Sequence, residues 1–170
     1  MDRDGRVLYC GTFSKVMFPA LRLAYLVVPP ALVERFEADA ATFGAGQPLL
    51  TQAIVRDFLQ EGHFVRHIQR MRRLYAERSA LLRAALLDAA GGRLDIDPPP
   101  GGMHLLARLA QGEDRALAAR LRAGGLAVQP LSSWYAGPRA RAGLLLGFAN
   151  VADPGQAAVL AARLAAALDG

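Results

Sequence analysis

The segment Tyr9–Pro29, YCGTFSKVMFPALRLAYLVVP, holds Lys15, and no other lysine occurs in the 170 residues. Lysine and arginine together number 20, so 19 of those positions are arginine. Before the loop, Val7, Leu8 and Tyr9 follow a polar, glycine-bearing turn and predict a short strand. After it, LRLAYLVV is a second apolar, β-branched run that Pro29 and Pro30 stop. Lys15 therefore sits inside a strand–loop–strand unit.

Working outward, Pro30 suits the first turn of a helix, PALVERFEADAATF, that ends near Gly44 and Gly46. QPLLTQAIVRDFLQEG predicts a second helix with Leu50, Ile54 and Phe58 on one face, closed by Gly62. From His63 to about Ala89, Phe64, Ile68, Met71, Tyr75, Leu82 and Leu86 recur at helical intervals, and most arginines lie off that stripe. This is one long amphipathic helix. GGRLDIDPPPGG then marks a boundary by its glycine and proline content. Beyond it strands are expected at Met103–Leu109, Leu126–Gln129 and Leu144–Phe148, and helices at Glu113–Ala123 and Pro154–Leu168, an α/β or α+β lobe.

The length suits one ordinary domain, or one compact domain with an appendage. A 53% hydrophobic and 21% charged composition fits a packed globular chain. Apolar runs break well short of the ~18 residues a membrane span needs. MDRDGRV carries acidic residues where a secretory signal would be basic and then apolar, so a cytoplasmic location is expected, with no membrane partner. Cys10 is the only cysteine, which excludes an intrachain disulfide and disfavours a cysteine-built zinc site. The net charge of +5 is modest and its arginines are interspersed with acids, a solvated face rather than a nucleic-acid stripe.

Arginine replaces lysine wherever charge alone is wanted, yet only lysine loses its proton readily enough to attack a carbonyl. Around Lys15 stand the hydroxyls of Thr12 and Ser14, the open backbone of Gly11 and, seven residues on, Arg22. Hydroxyls, free amides and a guanidinium fork are what a phosphate monoester requires. An imine-forming lysine beside a phosphate pocket describes binding of pyridoxal 5′-phosphate (PLP).

With these residues in view, GTFSKVMFPALRLAYLVVP resembles the lysine loop of fold-type-I, PLP-dependent aminotransferase-like proteins, most closely the MocR branch of the GntR transcriptional regulators. LLTQAIVRDFLQEGHFVRHIQRMRRLYAER, GGMHLLARL, VQPLSSWYAG and GLLLGFANV agree in order. The resemblance covers nearly the whole chain. It implies an α/β fold: residues 1–62 as the C-terminal remainder of the PLP-binding large domain, 63–90 as a long interdomain helix, and 91–170 as the small C-terminal α/β domain. By position it implies Lys15 as the catalytic Schiff-base lysine, with Thr12, Ser14 and Arg22 as phosphate-side residues. Ala24 replaces the usual glycine before Tyr25, at a position expected to be packed.

The resemblance also exposes departures. The family's acid for the pyridine nitrogen lies well upstream of the lysine; Asp2 and Asp4 do not match it. That points to the C-terminal part of a longer protein, whose winged-helix head would carry DNA binding and whose full-length form would be a homodimer. Leu145 stands where aminotransferases place a carboxylate-binding arginine, leaving Arg139, Arg141 and His104 as substrate-side candidates. His63 and His67, four apart on one helix face, lack a third ligand, are read as structural, and no metal is expected. Trp134 and Tyr135 read as packing residues. The implied function is an effector domain sensing an amine or amino acid; the rival is a fragment of a class I/II aminotransferase transaminating an amino acid with a 2-oxo acid.

Overall fold

The computed structural model describes residues 2–43, 49–137 and 140–169. Its residues group into two compact units, Met1–Arg70 and Met71–Gly170.

In the first unit, strands β1 (Tyr9–Thr12) and β2 (Ala24–Val27) pair antiparallel, with Gly11 opposite Tyr25 and Thr12 opposite Ala24. β1 lies two residues later than the Val7–Tyr9 run that predicts it, and β2 is shorter than LRLAYLVV, because Leu21, Arg22, Leu23 and Val28 lie outside the ladder. Ala24 is exposed, so its methyl group meets no crowding there. Pro30–Leu32 forms a single 3-10 turn leading into α1 (Val33–Phe43), and α2 spans Leu49–Gln60. Gly62 follows α2 at φ 72°, a left-handed stop that glycine adopts without a Cβ penalty. Helix α3 (His63–Ala90) is one uninterrupted run of 28 residues. The small core of this unit is Phe13, Leu23 and Val55, with Met17, Leu21 and Phe64 packed against it.

In the second unit, β3 (Leu94–Ile96), β4 (His104–Leu109), β5 (Gln129–Pro130) and β6 (Gly143–Gly147) form a sheet of order β3-β4-β6-β5, antiparallel at every pairing. Of the two arrangements the strand–helix string allows, it takes the α+β one. Strand period sends Leu105, Ala107, Leu144 and Leu146 to one face. There they join Leu82 and Leu86 of α3, Leu117 and Leu121 of α4 (Asp114–Ala123), and Ala157, Ala161 and Leu164 of α5 (Pro154–Asp169) in one core. On the other face Arg108 reaches Asp95 at 3.1 Å and Asp97 at 2.8 Å.

The Gly/Pro-rich stretch is more than a boundary, because β3 lies inside it; Leu94 and Ile96 are buried and pull the segment onto the sheet. Likewise the strand expected at Leu126–Gln129 forms only at Gln129–Pro130. Trp134 is 69% exposed and Tyr135 42%, so these are not packing residues.

Asp114, 3% exposed, ties the start of α4 to two other elements. Its carboxylate accepts the Ser132 amide at 2.7 Å, the Ser132 hydroxyl at 2.7 Å and the Gly143 amide at 3.1 Å. Burial pushes this carboxyl up, and the hydrogen bonds from Ser132, Gly143 and Arg115 outweigh it, leaving it below its ordinary 3.8. A depressed value in the folded state means a contribution that is complete above the unfolded value and fades as pH falls through the folded one. Asp114→Asn should therefore cost about 1–3 kcal/mol at neutral pH. That gap should shrink on acidification below 3.8, as urea unfolding of both proteins across pH would show. A gap independent of pH would contradict it.

Candidate functional site

Lys15 lies in a tight turn at the tip of the β1–β2 hairpin. Phe13 donates its amide to Leu23 O at 3.0 Å, continuing the ladder, and Met17 N donates to Phe13 O at 2.8 Å, closing one helical turn around Ser14, Lys15 and Val16. Both Phe13 and Leu23 are buried, so the apolar side chains flanking the turn anchor it while Lys15 stays exposed. Thr12 Oγ1 accepts the Ser14 amide at 3.2 Å and lies 3.5 Å from Leu23 O.

The return strand begins with a 3-10 turn, Pro19–Leu21, whose capping residue is Arg22 at φ 48°, ψ 31°. Among the described residues Arg22 is the only non-glycine at positive φ. Holding a side-chain-bearing residue there costs of order 1–3 kcal/mol, and such residues gather at functional sites. Among the described residues neither the Arg22 guanidinium nor the Lys15 amine has an ion pair or side-chain hydrogen bond. Two unengaged cations on one hairpin, with two hydroxyls between β1 and the turn, make a set of groups ready for an anion.

Beside them the Tyr25 ring lies across Gly11, where an added Cβ would come within 2.3 Å of Cζ. The ring also packs on Phe13 at 5.4 Å and Tyr9 at 6.1 Å between centroids. A hydrogen bond with Tyr9 is the chief reason its phenol is raised above the ordinary range. Only glycine permits this close approach of ring and backbone.

The hairpin suits two ends of PLP. An amine answers an aldehyde, and a guanidinium with hydroxyls answers a phosphate. Among the described residues the hairpin presents no acid for the ring nitrogen: Asp2 spends its carboxylate on the amides of Asp4, Arg6 and Val7, the last at 3.0 Å. Those bonds, led by that from Val7, hold its carboxyl below the usual range. The Asp2 carboxylate is therefore already engaged.

Thr12, Ser14, Lys15 and Arg22 thus share one hairpin. His104 and Arg141 belong to the second unit, both exposed: His104 opens β4 opposite Gly147, and Arg141 lies in the loop before β6. Leu145 sits mid-strand opposite Leu106 and Gln129. Arg139 lies outside the described residues. A cleft of about 370 Å³ also opens in the second unit beside Arg115, Ser132 and Tyr135, but the Asp114 carboxylate in it is already fully engaged.

His63 bonds Glu61 at 3.0 Å and Arg66 at 2.9 Å and stacks on Phe58, whereas His67 bonds Val16 O in the lysine turn at 2.9 Å. Among the described residues no three His, Cys, Asp or Glu side chains gather into a metal-binding group. Two features of the site escape sequence reading: the left-handed backbone of Arg22 and the His67 contact. The four-residue spacing in GHFVRH signals one helix face, but not what that face touches.

The family model described as aminotransferase class I and II matches residues 1–151. The chain is 39% identical over 155 residues to the probable rhizopine catabolism regulatory protein MocR of Rhizobium meliloti, covering 91% of this chain and 31% of that protein. It is 32% identical to an uncharacterised HTH-type transcriptional regulator of Bacillus subtilis, covering 90% and 33%. Among solved structures, the alpha-aminoadipate aminotransferase of Thermus thermophilus, complexed with N-(5′-phosphopyridoxyl)-L-leucine, superposes with TM-score 0.79 at 31% identity, covering 96% of this chain and 42% of that one. The chain spans about a third of the length of the curated relatives it matches. Among the described residues no helix is long and apolar enough to cross a membrane.

Proposed function

The chain belongs to the aminotransferase class I and II family, and from that premise we propose that it is part of the PLP-binding effector portion of a MocR-type regulator, with Lys15 the point of covalent attachment. Residues 1–62 are the remainder of the large domain, 63–90 the connecting helix and 91–170 the small domain. One observation carries the reading: the only lysine of the chain stands in a turn, on the same hairpin as a left-handed Arg22, and neither side chain has a partner among the described residues. The regulators of Rhizobium meliloti and Bacillus subtilis support the regulatory half of the proposal.

When bound, PLP supplies an aldehyde and an electron-withdrawing ring. The chain's own residues do the rest. Lys15 Nζ, once it has lost its proton, would be the nucleophile for the aldehyde carbon, whose oxygen would leave as water. Arg22 would present its guanidinium fork to the phosphate oxygens, and the Thr12 and Ser14 hydroxyls would add donors to them. Were an amine or amino-acid effector bound, Lys15 Nζ would take up the proton that the incoming ammonium gives up. His104, Arg139 and Arg141 are the substrate-side contacts. Leu145 offers a carboxylate nothing, which favours sensing over transamination. The whole protein is a homodimer acting in the cytoplasm, and it meets DNA through a winged-helix segment outside this sequence.

The test measures affinity of the full-length protein for its own promoter DNA, with and without amino compounds, alongside 2-oxo acid formation. A regulator shows a roughly 5–150-fold change in DNA affinity on adding effector, without turnover. Turnover with no DNA affinity would instead support the aminotransferase reading, which the solved aminotransferase structure also favours.

A further inference from the structure

We propose that His67 is a positioning residue for Lys15, holding the turn that presents the amine by donating its Nε2–H to the carbonyl of Val16. The proposal rests on reading Lys15 as the attachment point. The partners are 51 residues apart in sequence and 2.9 Å apart in space. Among the described residues, the other hydrogen bonds that shape this turn are local to the hairpin: Phe13 to Leu23, Met17 to Phe13, Ser14 to Thr12. Among the described residues, His67 is the polar tie that comes from elsewhere.

Its neighbour on the same helix face completes the grip. Phe64 and His67 are three apart on α3 and so project together. Phe64 meets Phe13 edge-to-face at 6.1 Å, at the start of the turn, and His67 bonds Val16, near its end. Lys15 lies between these two holds. An apolar contact sets where the turn sits, and a directional one sets how its backbone is rotated, which decides where the exposed lysine side chain starts from. The carbonyl can only accept, so His67 must carry hydrogen on Nε2; that holds for one neutral tautomer and for the imidazolium. Val16 is exposed, so water satisfies its carbonyl when the imidazole is removed. The loss is therefore one of orientation rather than of buried polar satisfaction.

The experiment follows attachment of PLP to the full-length protein over time. Borohydride reduction stops each sample, and peptide mass spectrometry quantifies the adduct on Lys15. His67→Ala should slow attachment by roughly 10- to 100-fold, the range that a misplacement of about 1 Å produces, with the melting temperature little changed. His67→Gln, whose amide nitrogen lies the same number of bonds from Cβ, should restore most of the rate. His67→Leu, of similar bulk but with no donor, should not. If the alanine variant does not fold, the glutamine–leucine pair carries the comparison. Equal rates in wild type, His67→Gln and His67→Leu overturn the positioning role while leaving Lys15 as attachment point. No adduct on Lys15 of the wild type overturns both.

Discussion

Replacing Lys15 by arginine should abolish covalent retention of PLP altogether. After borohydride reduction the wild-type Tyr9–Pro29 segment should carry the cofactor, and the Lys15→Arg segment no more than Lys15→Ala does. Arginine keeps the positive charge and the reach, and it still attracts a phosphate, so reversible affinity survives in part. What it lacks is an amine that can shed its proton: the guanidinium stays charged under any condition the fold tolerates. The comparison separates charge from nucleophilicity, which alanine substitution alone cannot do. The surrounding composition sharpens it, since 19 other positions already use arginine. An adduct on the arginine variant, or an adduct of the wild type elsewhere, would remove Lys15 from the mechanism.

Phe148→Ala carries the largest expected loss of stability, about 3–5 kcal/mol. The ring is 1% exposed, just after β6, and meets Tyr75 of α3 edge-on at 6.1 Å. Its amide bonds Met103 O at 3.4 Å and its carbonyl accepts the Val151 amide at 3.1 Å, so the backbone is held and cannot follow the shrunken side chain into the gap. Val151 and Leu86, themselves almost fully buried, leave little freedom for the walls to relax. A residual cavity is the result, and its volume adds to the lost transfer energy. The aromatic pair contributes a further ~0.5–1.5 kcal/mol that Phe148→Leu also forfeits while keeping most of the volume. Chemical denaturation should rank wild type above leucine above alanine. A loss below 1 kcal/mol for alanine would mean that the core around β6 collapses freely.

Helix α3 is the element most fully legible in the sequence. Its stripe from Phe64 to Leu86 runs through many turns, so periodicity decides it, and the observed end at Ala90 differs from the expected Ala89 by one residue. Strand β3 is three residues long, too short for alternation to stand out, and the glycines and prolines around it announce a loop. Strand β5 contains a proline and exists only because β6 offers it an edge, a condition set by tertiary neighbours. In the site the split is similar. Side-chain chemistry is local, so Lys15, Thr12, Ser14 and Arg22 could be named from their types and spacing. The backbone angle at Arg22 and the reach of His67 to Val16 arise from folding, and no window of sequence contains them.

The left-handed backbone at Arg22 has a consequence for anyone engineering this protein. Glycine or asparagine would sit there more comfortably, so a library screened only for thermal endurance should drift towards them at position 22. Each such winner would be a sturdier protein without its guanidinium. The position is where robustness and purpose pull apart, and a stabilisation campaign that leaves Arg22 free to vary would select against the guanidinium proposed to hold the cofactor's phosphate.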